Sequence, residues 1–437
     1  MGTTTYTITC LSPVHVGTGT QFGKFEGVYD DKRWHLIDLD RVLASSVDAN
    51  QLARAMNDRN FSWVEWLRER SLDPSDVHAY ELPCPQDPED SSIRQTIKDA
   101  HQQPYLPGTS VKGAVRTAVL WQLMSSDTHQ QRFAAQYLAL CVKASDLFEE
   151  IRRQRAFELA DVHRGILAQS LAVNDGEAVA LQQTLYRVLN IREDRLSEQQ
   201  EWRNFQKGLE RLGRSREWLG QPVERAILGR NPNQDLLRAL LVSDSRTANI
   251  EQLAIGLVWT YTIRGDGLIE KREQGGEYKV FAEWLKPETL VTLDIRLDEF
   301  LFTEQANREL GFSSGKETAV RQLAQTCNGY AQEIIQSEKK FYDKYGLARV
   351  RDFYVDLEKD LNDLPDGGIL LNIGWGGGWE IKTFGDLMRM ALGEEGFRQL
   401  RQRYGLGKNP KTHQMNLSLP EIISFGQNLG LRFRVFK

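Results

Sequence analysis

The order of patterns along the chain predicts an α+β fold with helices on one face of an antiparallel sheet. Strand patterns occur near both ends and in the middle of the chain, and helical patterns separate them. The long stretch 126–237 is charged, helical in period and poor in β-branched runs, so we interpret it as an α-helical insertion. Without it, the order of strand, helix, several strands, helix and strand suits a ferredoxin-like or RRM-like plan. The predicted division is therefore 1–125 and 238–437 for the two parts of the core, with 126–237 inserted.

The N-terminal part begins with a strand. Apolar Tyr6, Ile8 and Cys10 alternate with threonines, which is the period of a half-buried strand. The Gly- and Thr-rich residues 11–20 that follow are typical of a turn. A hairpin is predicted over 28–37. The next residues are predicted to be helical over 40–70 and loop over 71–104, where Pro, Asp and Ser are frequent.

The remaining helices and strands are predicted from the helical period of about 3.6 residues and the strand period of 2. A helix opens within 105–116, where Thr109 or Ser110 can cap the first turn. Apolar residues spaced for a helix occupy 317–344. Strand patterns are found at 240–244, 255–263, 291–297, 369–373 and 431–437.

Charge and cysteine content restrict the function classes. The net charge is −5, whereas a free-standing nucleic-acid binder is usually basic, so any RNA contact must be local or shared with other subunits. No apolar window of about 18 residues predicts a membrane span, and the N-terminus shows no secretory signal. The four cysteines lie far apart without a CxxC pair, which predicts buried thiols in a reducing cytoplasm rather than a zinc ribbon or a disulfide framework.

The segment 107–113, Pro-Gly-Thr-Ser-Val-Lys-Gly, is the most informative one. A helix N-terminus attracts phosphate through its unpaired N–H groups and its partial positive charge. Lys112 and Arg116 share a face just inside that terminus, and Gly108 and Gly113 permit close approach of a nucleic-acid backbone. Together these features suit a cradle for the phosphate backbone. An ordinary capped helix with two solvated cations is the alternative that the residues leave open.

A late loop, 374–383, combines four glycines, two tryptophans and one lysine between a strand and a helix. Ile381 precedes Lys382 where a P-loop requires glycine, so an NTPase is excluded. The composition suits a loop laid against a sugar-phosphate strand, with an aromatic ring for base stacking. A tight β–α connection anchored by core tryptophans is the alternative. No cluster has metal-ligand spacing and no nucleophile motif is present, so we predict no metal, cofactor or catalytic residue.

Together these segments resemble the RAMP superfamily of CRISPR proteins. The resemblance rests on the Pro-Val-His-Val-Gly-Thr-Gly turn (13–19), the segment Leu-Pro-Gly-Thr-Ser-Val-Lys-Gly-Ala-Val-Arg (106–116), Val-Ser-Asp-Ser (242–245), and the late Gly-rich loop closed by Lys-Thr. It covers 5–125 and 238–437 and is weak across the insertion. Within the superfamily the chain is most similar to the family of the fifth subunit of the type III-A Csm complex.

This resemblance implies an RRM-like core that binds guide RNA (crRNA), caps its 3′ end and ends the backbone filament beside a neighbouring RAMP subunit. The implied partners are crRNA and other Csm subunits, with no membrane and no cofactor. The implied contacts come from the three glycine-containing segments: His15, Gly17, Thr18, Gly19, Ser110, Lys112, Arg116, Trp375, Gly377, Lys382 and Thr383.

The resemblance also implies that the chain does not cut RNA. Sibling subunits that cleave target RNA place an Asp in a loop near the first strand, whereas 21–25 reads Gln-Phe-Gly-Lys-Phe. The competing hypothesis is a metal-independent endoribonuclease of another RAMP branch, with His15 as general base and Lys112 as the cation for the phosphate. That branch generally lacks the helix start at 107–113.

Overall fold

In the computed structural model, helices and strands are distributed over nearly the whole chain. The described residues are 3–45, 47–89, 91–154, 160–171, 173–214, 221–229, 231–264, 267–270, 272–273, 276–277, 280–310, 312, 316–375, 385–404, 423–425 and 432–436. The strands are β1 (Thr3–Cys10), β2 (Gly17–Phe22), β3 (Gly27–Asp30), β4 (Arg33–Ile37), β5 (His78–Pro83), β6 (Ile93–Thr96), β7 (Leu240–Val242), β8 (Leu253–Arg264), β9 (Gly267–Glu270), β10 (Arg272–Glu273), β11 (Gly276–Glu277), β12 (Val280–Leu285), β13 (Leu290–Leu297), β14 (Ile369–Asn372), β15 (Ile423–Phe425) and β16 (Arg432–Phe436). The helices are α1 (Leu39–Ala44), α2 (Ala49–Met56), α3 (Trp63–Glu69), α4 (Pro74–Val77), α5 (Gly108–Ser126), α6 (Thr128–Gln154), α7 (Ala160–Leu171), α8 (Asp175–Leu189), α9 (Gln199–Arg214), α10 (Gln221–Leu228), α11 (Glu304–Leu310), α12 (Thr318–Arg321), α13 (Leu323–Lys344), α14 (Ala348–Asn362) and α15 (Gly385–Tyr404).

An antiparallel sheet joins the two ends of the chain. Its strand order is β14-β16-β1-β13-β7, and Ile8 of β1 lies opposite Val291 on one side and Val435 on the other. The alternation in β1 turns Ile8 and Cys10 into the main core, where Val115 of α5 and Cys327 of α13 are also buried. The predicted first and last strands and the helices of 105–116 and 317–344 are confirmed.

Two larger sheets and the two-stranded sheet β10-β11 make up the rest of the described β structure. One has the order β15-β8-β12-β6-β2, in which β6 runs parallel to β12. The other is β3-β4-β5, which packs with α1 to α4 around a small core of its own. The hairpin β3–β4 turns through Asp31 and Lys32, both with positive φ, as a tight hairpin turn requires. Helices combined with mainly antiparallel sheets confirm the α+β class.

The helices α6 to α10 occupy the stretch interpreted as an insertion. Tyr137 of α6 and Phe205 of α9 are fully buried between them, and their side chains belong to the same large apolar cluster as the residues of the first sheet. The division of the chain into core and insertion stays an interpretation.

Two local predictions are wrong, and one strand was not predicted. The stretch 71–104 contains α4, β5 and β6, although its composition indicates loop. Residues 17–19 begin the strand β2 instead of forming a turn, because Gly17 pairs with Thr96 of β6 and the register then shifts before Gln21 pairs with Arg94. β12 was not predicted from its sequence. In each case the strand is short and its partners are distant in sequence, so no local alternation indicates it.

The four cysteines are free and buried, as predicted. Within the part of the chain that the structure describes, no helix has the length and apolar character that crossing a bilayer requires.

Candidate nucleic-acid interface

A cleft of about 570 Å³ brings together three segments that the sequence singled out. The start of β2, the first two turns of α5 and the end of β14 form its walls, and an apolar face of α13 forms its floor. The lining includes His15, Gly17, Gly19, Thr20, Gln21, Arg94, Gln95, Ser110, Gly113, Ala114, Thr117, Tyr330, Ile334, Asn372, Gly374 and Trp375. Of the predicted contacts, His15, Gly17, Gly19, Ser110 and Trp375 therefore lie at one site.

The imidazole of His15 is buried at the edge of the cleft, with 3% of the residue exposed. Its Nδ1 lies 2.6 Å from the main-chain oxygen of Glu283, so Nδ1 must donate and Nε2 is left as an acceptor. Nε2 faces Gly17, where an added Cβ would lie 2.8 Å away. Burial lowers the pKa of His15, and the positive charges of Arg94 and Lys98 lower it further. The hydrogen bond to the main chain of Glu283 acts in the opposite direction and raises the pKa. His15 is therefore a neutral, fixed imidazole.

A tryptophan and an arginine form the most distinctive feature of the cleft. The main-chain N–H of Trp375 donates to the oxygen of His15 at 2.9 Å, and the two rings meet edge to face at 5.9 Å. The guanidinium of Arg94 lies 4.5 Å from the centre of the Trp375 ring. Arg94 is also the one charged side chain among the described residues that line the cleft. The pair stacks a cation over an aromatic ring, and both kinds of group are ones that single-stranded RNA contacts.

Arg94 was not among the predicted contacts, because it lies in β6, within the stretch predicted to be loop. Its register beside Gln21 of β2 and Ala282 of β12 places it at the cleft. The only local signal was the mixture of apolar and polar residues in Ile-Arg-Gln-Thr, which is too short to predict a strand.

An exposed edge of β2 continues from this pair. Gly17, Thr18 and Gly19 are exposed, and Gly19 has a φ of +88° with open space beside it. The hydroxyls of Thr18 and Thr20 are 2.6 Å apart, and Thr20 donates to the side-chain oxygen of Gln95 at 2.6 Å. Backbone and hydroxyl groups are thus presented to the solvent over several residues, which suits contacts to sugar and phosphate.

A buried ion pair lies next to the cleft and holds the residues around His15 in place. The side chains of Lys98 and Glu283 are 3% and 0% exposed and contact each other. The hydroxyl of Tyr80 donates to Glu283 Oε1 at 2.9 Å, and the N–H of Thr96 donates to Oε2 at 2.9 Å. Burial lowers the pKa of Lys98, while the attraction of Glu283 opposes that shift. The same Glu283 holds His15 through its main-chain oxygen, so the pair fixes the wall of the cleft.

The start of α5 is built differently from the prediction. No side chain of the helix caps its first turn; instead the N–H of Gly108 donates to Asp244 Oδ1 at 2.8 Å. An added Cβ on Gly108 would lie 2.5 Å from the main-chain oxygens of Val242 and Ser243, so this close approach needs glycine. The capping role expected of Thr109 or Ser110 is therefore wrong, because a carboxylate distant in sequence already accepts from the first N–H group. The Val-Ser-Asp-Ser segment anchors this helix start.

The two cations of α5 lie away from the cleft. Ser110, Gly113, Ala114 and Thr117 line it, whereas Lys112 and Arg116 project from the other side of the helix. Arg116 contacts Asp235 at 2.8 Å and Glu224 at 3.8 Å, which occupies its guanidinium. Burial and the charge of Arg116 lower the pKa of Lys112, and Asp235 opposes the shift. The structure therefore separates these two predicted contacts from the others.

Three predicted contacts, Gly377, Lys382 and Thr383, lie outside the described residues. Of the late Gly-rich loop, the structure describes Gly374 and Trp375, and both line the cleft. Gly374 has a φ of +87°, which allows the chain to turn sharply as it leaves β14.

Comparisons with known proteins agree with the sequence motifs. The family model described as RAMP superfamily matches residues 7–381. Csm5 of a CRISPR system from Streptococcus thermophilus is 27% identical over 127 residues, which make up 25% of this chain and 36% of that protein. The chain thus spans about a third of the length of this curated relative.

Two solved structures share the fold. One is a chain in the Csm–crRNA–target RNA ternary complex of a type III-A CRISPR-Cas system, with a TM-score of 0.63, 20% identity and 99% of both chains covered. The other is Csm5 of T. onnurineus, with a TM-score of 0.56, 21% identity, and 90% of this chain and 95% of that chain covered.

Proposed function

Because this chain belongs to the RAMP superfamily, we propose that it is a non-catalytic, crRNA-binding subunit of a type III-A Csm interference complex. In this role it caps the 3′ end of the crRNA and ends the backbone filament. Its partners are crRNA and other Csm subunits, including a neighbouring RAMP backbone subunit, in the cytoplasm. The identity with Csm5 over 127 residues and the whole-chain fold similarity to a chain of a Csm–crRNA complex support the proposal.

The first sheet and the two helices that pack on it have the element order of an RRM-like core. We assign an RRM-like core to the sheet β14-β16-β1-β13-β7 with α5 and α13 packed on it. The order strand, helix, strand, helix, strand along β1, α5, β13, α13 and β14 supports this assignment.

The observation that carries the RNA-binding role is the cleft formed by β2, α5 and β14. Its Trp375–Arg94 pair provides one stacking surface and one cation, and the exposed Gly17–Gly19 edge provides backbone groups. Neutralisation of phosphates by cations supplies most of the affinity for RNA. The described lining has a single cation and the chain has a net charge of −5, so the chain alone has little affinity for RNA. Binding is therefore shared with the other subunits of the complex.

The test measures crRNA retention in a reconstituted Csm complex with Trp375→Ala and with Arg94→Ala. Loss of base stacking is worth about 1–3 kcal/mol, which is roughly a 5- to 150-fold weaker retention. Arg153→Ala is the matched control, because Arg153 is exposed on α6 and pairs within its own helix with Glu150. Normal crRNA retention by both cleft variants would contradict the proposal.

One observation favours the competing endoribonuclease: His15 lines the cleft as a neutral imidazole whose Nε2 is left as an acceptor, as a general base requires. Against it, the imidazole is almost fully buried, and Lys112, its proposed cationic partner, projects from the other side of α5. We therefore expect no cleavage of repeat or guide RNA by the purified chain in chelator. Cleavage that disappears in His15→Ala would support the enzyme instead.

A further inference from the structure

Two histidines and a glutamate meet on the small sheet β3-β4-β5, away from the cleft. His35 of β4 is the cross-strand partner of Glu81 of β5, and His78 begins β5 where the register shifts. His35 also lies opposite Val28 of β3, whose side chain belongs to the core shared with α1 to α4. His35 is 5% exposed, and His78 and Glu81 are half-buried.

The distances between the three donor atoms fit one metal ion. The Nδ1 atoms of His35 and His78 are 3.1 Å apart, and His35 Nδ1 lies 3.5 Å from Glu81 Oε2. All three atoms lie within 4.8 Å of one another. A tetrahedral zinc ion with bonds of about 2.0–2.1 Å separates its ligand atoms by about 3.3 Å, which two of these separations match closely.

The carboxylate of Glu81 presents one of its two oxygens to the histidines. Arg33 pairs with Oε1 of Glu81, so Oε2 is the oxygen turned towards His35. Burial lowers the pKa of His35, and the neighbouring His78 lowers it further. The negative charges of Glu81, Asp30 and Asp73 raise it. An imidazole ligates a metal through an unprotonated ring nitrogen, and the Nδ1 atoms of the two histidines face each other here.

We propose that His35, His78 and Glu81 bind one divalent transition-metal ion of the Zn²⁺ class and thereby join β4 to β5. Imidazole nitrogen and a single carboxylate suit zinc, whereas Ca²⁺ and Mg²⁺ take sets of oxygen ligands. Three protein ligands leave one coordination position open. Because His78 lies 43 positions after His35 along the chain, no short sequence motif indicates the site, and it was not predicted. The proposal is independent of RNA binding.

The test uses the untagged full-length chain, stripped with chelator, dialysed against ZnCl₂ and then against metal-free buffer. Bound zinc is measured by elemental analysis, and we expect one zinc ion per chain. His78→Gln and Glu81→Gln each remove one ligand and are expected to lose the bound zinc. His129→Gln is the matched control, because His129 is an exposed histidine on α6 outside the cluster, and it should retain zinc as wild type does.

A second measurement separates ligand loss from misfolding. Zinc should raise the melting temperature of wild type and of His129→Gln, while the two cluster variants should melt like the stripped wild type whether or not zinc is added. Co²⁺ in place of zinc should give wild type the intense visible bands of a four-coordinate site. The proposal is overturned if wild type retains no zinc, if the folded cluster variants retain it equally, or if Mg²⁺ displaces it.

Discussion

The buried pair Lys98–Glu283 offers a quantitative test of how the cleft is supported. Lys98→Met removes the cation and leaves the carboxylate of Glu283 without its charged partner. Glu283→Gln keeps the shape but leaves the ammonium of Lys98 in a site that is almost fully buried. Both charges are buried away from water. Each single substitution therefore leaves one buried charge without its partner, which lowers the free energy of unfolding.

The expected magnitude follows from the burial of the pair. Breaking a buried ion pair by removing one partner costs about 3–5 kcal/mol of unfolding free energy. The double variant, Lys98→Met with Glu283→Gln, should recover most of this loss. The side-chain amide that replaces the carboxylate can accept the N–H of Thr96 and donate to the hydroxyl of Tyr80, so both neutral bonds of the carboxylate have a substitute.

The assay is a double-mutant cycle measured by urea denaturation, beside crRNA retention in the reconstituted complex. A coupling of at least about 2 kcal/mol between the two positions is expected. The single variants should also retain less crRNA than the double variant, because the main chain of Glu283 holds His15 at the cleft wall. Single losses under about 1 kcal/mol, or a double variant as unstable as the sum of both, would refute the reasoning.

Two further predictions concern α5 and His15. Lys112 lies on the side of α5 away from the cleft and makes no ion pair among the described residues, so Lys112→Ala tests whether crRNA also contacts that side of the helix. Loss of one phosphate contact there should weaken crRNA retention about tenfold for all sequences without lowering the melting temperature. The exposed Lys207→Ala on α9 is its control, and equal retention by both variants would make Lys112 a solvated helix residue. Burial lowers the pKa of His15 below its ordinary 6.5, so the unfolded chain binds protons that the folded chain does not, and stability should fall as the pH drops below about 6.5. His15→Gln should reduce this slope in pH-dependent denaturation; an unchanged slope would show that His15 does not supply it.

The sequence predicted elements whose pattern is local. Ile8 and Cys10 alternate with threonines because one face of β1 is buried, and the apolar stripe of α13 has the helical period for the same reason. The strand β6 was not predicted, because its partners β2 and β12 lie far from it in the chain. Arg94 was missed with it. The start of α5 was predicted, whereas its cap was not, because Asp244 is 136 residues away from Gly108.

The same distinction explains which site residues the sequence could identify. Motif resemblance selected the turn at His15 and the tryptophan of the late loop, and the structure places both at one cleft. The resemblance could not show that His15 is buried and that its ring is held by the main-chain oxygen of Glu283. Nor could it show that the groups accessible to a ligand are Trp375, Arg94 and the edge of β2. On the proposed function, we expect a surface with one cation, one aromatic ring and several backbone groups in its described part to bind a single RNA strand weakly and without regard to sequence. Such an interface is suited to a subunit that holds one end of an RNA already bound by its neighbours.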